Sequence, residues 1–169
     1  MQRRCFLMVL LLCGLSAQAM PAIDGELLGI DETALKDLFP DLQRLAKPVM
    51  GPHRVRGTWR LAHALLADLS LETTFFVSGR HVVRIEQQAL LEQTACPAPQ
   101  PDSALLAELQ AKYGSGVVAN NTDASGKSQQ SVAWVNQGAS VMLYLTQQTA
   151  QCDVLLVYQP HIENDASEL

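Results

Sequence analysis

Three prolines spaced two apart, in the run Cys96-Pro97-Ala98-Pro99-Gln100-Pro101, mark a place where neither a helix nor a central strand can continue. Proline fixes φ and has no N–H to give to a sheet ladder, so CPAPQP reads as a stiff, extended connector. The connector predicts two parts, residues 20–95 and 103–160, joined by a linker at 96–102, with a polar tail at 161–169 that should fray.

The first part reads as helix and then strands. Asp31 is placed to accept from the free N–H groups of a first turn, and Glu32 adds charge that the helix dipole favours, so ETALKDLF is a capped helix. Pro40 opens a second short helix, PDLQRLA, with Leu35, Leu38, Leu42 and Leu45 on a shared apolar side; Pro48, Gly51 and Pro52 stop it. RVRGTWRL then alternates, with Val55, Gly57, Trp59 and Leu61 on one face and Arg54, Arg56, Thr58 and Arg60 on the other. This strand is expected to end near Leu61, with a turn or two of helix in residues 62–68. Alternation returns from Leu69 to Val77, Ser78-Gly79-Arg80 makes a hairpin turn, and HVVRIEQ follows with Val83 and Ile85 inward.

In the second part Asp102 or Ser103 caps ALLAELQAKYG, whose stripe is Leu105, Leu106 and Leu109 and whose stop is Gly114. GSGVVANNTDASGKS is rich in glycine and asparagine and reads as a loop. The strands QSVAWVN, ASVMLYLTQ and CDVLLVYQ close the chain. The fold class that follows is α+β: two helix-plus-antiparallel-sheet halves in a tandem layout, each with a tryptophan-bearing strand (Trp59, Trp134). GIDETALKDLFP resembles the glycine-led capped helix that opens the tandem repeats of β-lactamase inhibitor proteins and small outer-membrane assembly lipoproteins. LLAELQAKYG before a tryptophan strand is similar to the later helix of other exported proteobacterial proteins. The resemblance implies a layout, helix and sheet twice over, and names no partner.

The chain begins with Arg3 and Arg4, the apolar run CFLMVLLLCGL and the small-residue site Ala17-Gln18-Ala19. Residues 1–19 are therefore read as a secretory signal peptide cut after Ala19, which sends the protein to the periplasm or out of the cell. Leu12 precedes Cys13 where a lipoprotein signal places a small residue, and the apolar run is shorter than the ~20 residues of a spanning helix. Cleavage removes Cys5 and Cys13. The remaining pair, Cys96 and Cys152, predicts a disulfide in an oxidising compartment, clamping the linker to the last hairpin; two buried thiols are the other reading.

A net charge of −5, made more acidic by the loss of Arg3 and Arg4, argues with export against nucleic-acid binding. The charge is segregated. Arg44, Lys47, Arg54, Arg56, Arg60, Arg80 and Arg84 lie in a stretch whose acids are Asp68 and Glu72. On one antiparallel sheet, Arg54, Arg56, Arg60 and Arg84 would surround an exposed Phe76, the composition of a recognition surface for an acidic protein or an anionic envelope component. The competing account is a wet sheet face on which Glu72 and Glu86 neutralise neighbouring arginines. NTDASGKS matches only the end of a phosphate-binding loop, because Asn121 stands where its first glycine belongs. His53, His63, His81 and His161 lack ligand spacing, so no metal and no cofactor is expected. With no GxSxG elbow and paired cysteines, the reading is a non-enzymatic binding module, the alternative being a small periplasmic hydrolase with no local motif.

Overall fold

The computed structural model describes residues 21–92, 103–122, 128–147 and 151–162. After a 3₁₀ turn at Gly25–Leu27 the elements are α1 (Glu32–Leu38), β1 (Gln43–Met50), β2 (Arg56–Leu66), β3 (Leu69–Ser78), β4 (His81–Glu92), α2 (Ala104–Tyr113), β5 (Val117–Thr122), β6 (Ser128–Asn136), β7 (Ala139–Gln147) and β8 (Gln151–Pro160). All eight strands form one antiparallel sheet in the order β1-β2-β3-β4-β8-β7-β6-β5.

This corrects the division into two helix-plus-sheet halves. β4 pairs with β8 without interruption from Ile85 opposite Tyr158 to Glu92 opposite Gln151, so both parts of the chain share one sheet and one core. The cause is β8 itself: its run Val154-Leu155-Leu156-Val157-Tyr158 is apolar at every position and nearly all buried, which suits a central strand and no edge. No disulfide joins two described residues. Cys152 is buried in β8, while Cys96, the prolines of the linker and residues 1–19 lie outside the described residues.

Both helices pack on one face. A row of side chains crosses the sheet under them: Trp59, Phe75, Ile85, Tyr158, Val141 and Trp134, each opposite the next in register. Leu35 and Phe39 of the α1 region and Leu105, Leu106 and Leu109 of α2 close over that row. Asp31 caps α1, its Oδ1 accepting from Thr33 N at 2.8 Å, and Ser103 Oγ accepts from Leu106 N at 3.3 Å to cap α2. Two-residue hairpins at Ala67-Asp68, Gly79-Arg80 and Gln137-Gly138 have positive φ at both central residues, the mirror-image turn that matches strand twist.

Three segments differ from the sequence reading. Residues 43–50 are an edge strand and not a helix, for only Leu45 among them is partly buried, and the backbone of β2 supplies the pairing that apolar spacing did not. β2 continues to Leu66, because a bulge between Leu61 and Ala64 breaks the alternation without ending the strand. Val117–Thr122, read as loop, is the other edge strand, fully exposed and held through its ladder to β6. Among the described residues no helix is long and apolar enough to cross a membrane.

Candidate functional site

Of the five residues expected to form a basic face, Arg60, Phe76 and Arg84 share one side of the sheet, while Arg54 and Arg56 do not join them. Arg54 lies in the β1–β2 turn at φ +61, exposed and off the sheet. The register shift between Gly57 and Trp59 puts Arg56 opposite Val77, on the side that carries Phe75, whereas Arg60 sits opposite Thr74 on the uncovered face. Phe76 does point to that face but is 1% exposed, because the turn from Gly51 to Val55 folds over it; a Cβ on Gly51 would stand 2.7 Å from its Cε1. The remaining arginines are already partnered. Arg60 Nη1 lies 3.0 Å from Glu72 Oε2, and Arg84 Nε lies 2.6 Å from Glu86 Oε1 while its Nη1 donates to Gln159 Oε1. Neutralisation by Glu72 and Glu86 is thus the arrangement found.

The histidines are dispersed. His63 Nδ1 meets Ser70 Oγ at 3.2 Å, His81 Nδ1 meets the Gly29 carbonyl at 3.1 Å and His161 Nδ1 meets Ser140 Oγ at 2.9 Å, while His53 sits in the exposed β1–β2 turn. The Gly126-Lys127 part of the glycine-rich segment lies outside the described residues.

What the sequence reading missed lies on the helix side. Between α2, the segment Pro21–Ile23, the ends of β2 and β8 and the middle of β4 is a cavity of about 370 Å³. Ile23, Ala64, Leu66 and Leu109 give it apolar walls; Gln87, Tyr113 and Tyr158 also line it, and Glu108 and Lys112 add charge. Gln87 is 2% exposed in the middle of β4. Its Nε2 donates to Thr73 Oγ1 at 3.3 Å, but its Oε1 has no hydrogen-bond partner among the described residues. A signal for it existed: with Ile85 inward, alternation along HVVRIEQ turns Gln87 inward too, a polar residue at a core position. The inward assignment of Val83 fails because the ladder shifts between Phe76 and Val77, which buries Val82 instead.

Charge in this region is organised around one ion pair. Asp24 is buried at the start of the 3₁₀ turn, where its Oδ1 accepts from Glu26 N at 2.8 Å and its Oδ2 accepts from Lys112 Nζ. Burial works against the Lys112 ammonium, but the hydrogen bond to Asp24 and the fields of Tyr113, Asp24 and Glu26 outweigh it and raise its pKa. Burial, followed by the proximity of Tyr113 and Asp24, pushes the Tyr158 phenol far above its usual range, and burial also raises that of Tyr113. The Tyr113 hydroxyl approaches Tyr158 and Lys112 without meeting hydrogen-bond geometry with either. Its ring lies 6.3 Å from that of Trp134, centroid to centroid.

Comparison of the chain with protein-family models, with curated proteins and with solved structures returned no match. The geometry of the cavity is therefore the whole ground for a functional reading.

Proposed function

We propose that this protein is an exported, non-enzymatic binding module that holds a small, largely apolar molecule bearing a hydrogen-bond donor in the cavity beneath α2. The observation that carries the reading is Gln87, a buried side chain of the cavity lining whose Oε1, shut off from solvent, has no partner among the described residues. A buried acceptor left unmatched costs roughly 1–3 kcal/mol, and a cost of that size is understandable where a ligand supplies the donor. Apolar walls with a few convergent polar groups, at the small end of about 300–1,000 Å³, are the usual make-up of a small-molecule site.

The test is titration of 4-phenylbutanol into the mature protein, read by tryptophan emission, since Tyr113 of the cavity wall neighbours Trp134, and by calorimetry. Saturable binding that Gln87→Leu weakens at least tenfold is the expected result. Binding indifferent to Gln87→Leu, or none at millimolar concentration, refutes the reading.

A further inference from the structure

The chemical class of the ligand can be narrowed, on the premise of the cavity reading above. Lys112 and Tyr113 line that cavity and also a second one of about 280 Å³, bordered by Asp24, Glu26, Asn136 and Gln137. Lys112 thus stands between the two, with its partner Asp24 on the wall of the second. Across the two linings the charged groups are Asp24, Glu26 and Glu108 against Lys112, an excess of negative charge. The hydrogen-bonding balance points the same way. Gln87 of the lining holds an unmatched, solvent-shielded acceptor, while its Nε2 donates to Thr73. The rings of Tyr113 and Tyr158 stand in the wall, and aromatic faces attract cations.

We propose that the ligand is an organic cation, an apolar body ending in a protonated amine, whose ammonium displaces that of Lys112 from Asp24. The apolar body occupies the space between Ile23, Leu66 and Leu109, and the ammonium takes the position where the protein's own lysine now sits. That position already favours an ammonium: Lys112 keeps its proton there more firmly than in water despite partial burial. Displacement is structurally mild, because the Lys112 side chain is 43% exposed and can turn to solvent, while Asp24 is 9% exposed and stays fixed by its bond to Glu26 N. A carboxylate ligand would find Lys112 already engaged by Asp24 and would face Glu26 and Glu108, and a neutral one would gain nothing from Asp24.

The matched series 4-phenylbutylamine, 4-phenylbutanol and 4-phenylbutyrate, titrated calorimetrically into the mature protein at pH 7, tests this with one apolar body and three head groups. The amine should bind at least tenfold more tightly than the alcohol, which is 1.4 kcal/mol, with the carboxylate weakest. Asp24→Asn retains an amide oxygen for the 3₁₀ cap and should erase the preference for amine while leaving the alcohol's affinity unchanged. Lys112→Met should strengthen amine binding by removing the competitor. A melting curve for each variant verifies that it is folded. Alcohol binding as tight as the amine, carboxylate binding tightest, or a preference that survives Asp24→Asn each overturns the cation assignment while the cavity reading stands, since the alcohol still binds. Absence of binding by all three overturns both.

Discussion

Gln87 and Thr73 allow the central claim to be tested by stability alone. Both are buried, at 2% and 0% exposure, and they share one long hydrogen bond of 3.3 Å. Thr73→Val removes the acceptor and leaves both polar ends of the Gln87 amide unmatched, which should cost about 1–3 kcal/mol. Gln87→Leu removes the unmatched Oε1 but leaves the Thr73 hydroxyl alone, so relief and loss are of similar size and the variant should lie close to wild type. The double variant removes every polar atom of the pair together with the orphan oxygen. Replacing both partners by apolar groups of similar shape is near neutral for the bond itself, so the relief of Oε1 remains as a net gain of roughly 1–2 kcal/mol. For a chain of this length that is a rise in melting temperature of about 2–8 °C. The order Thr73→Val below wild type, wild type near Gln87→Leu, and the double variant highest forms a cycle measurable by urea unfolding. If the double variant is less stable than wild type by more than ~1 kcal/mol, Oε1 is not a frustrated acceptor in the unliganded protein, and the argument from it collapses.

Other parts of the fold give shorter tests. The folded protein holds the phenolic protons of Tyr158 and Tyr113 above pH ~10, where the unfolded chain releases them. Their contribution to stability is therefore complete below pH ~10 and lost as pH rises, a fall that Tyr158→Phe should flatten in urea titrations at pH 9–11. Arg84→Met should cost about 1–3 kcal/mol by stranding Glu86 and Gln159 on a half-buried face, whereas Arg54→Met, exposed in a turn, should change the urea midpoint little. Ala67 sits at φ +47 in the β2–β3 hairpin, so Ala67→Gly should gain about 0.5–1 kcal/mol, the relief of left-handed strain less the entropy that glycine adds to the unfolded chain. Gly116→Ala should destabilise by about 1–3 kcal/mol, because its Cβ would come within 2.5 Å of Val132 Cγ1 and 2.7 Å of Trp134 Cε2.

Features that depend on a few adjacent residues were legible in the sequence. The Asp31 and Ser103 caps, the Gly79-Arg80 turn and the stripe of α2 are each fixed by local chemistry. The two edge strands were not legible, because β1 and β5 bury almost nothing and exist through backbone pairing with β2 and β6, which leaves no mark in apolar spacing. The predicted surface failed for a related reason. Face assignment by strict alternation assumes an unbroken ladder, and one shift between Gly57 and Trp59 separates Arg56 from Arg60.

The two failures share a physical origin with the site that was missed. The two parts of the chain end in β4 and β8, and these two strands pair with each other, so the middle of the sheet lies where the sequence suggested a boundary. A residue at such a seam has core neighbours from both parts of the chain. Gln87 is one, with Thr73 across β3 on one side and Leu156 across β8 on the other. From its own segment it looks like an ordinary polar position near the end of a strand. Only the long-range pairing makes it the centre of a sheet roofed by α2, and only there is an unmatched carboxamide oxygen costly, because no water reaches it.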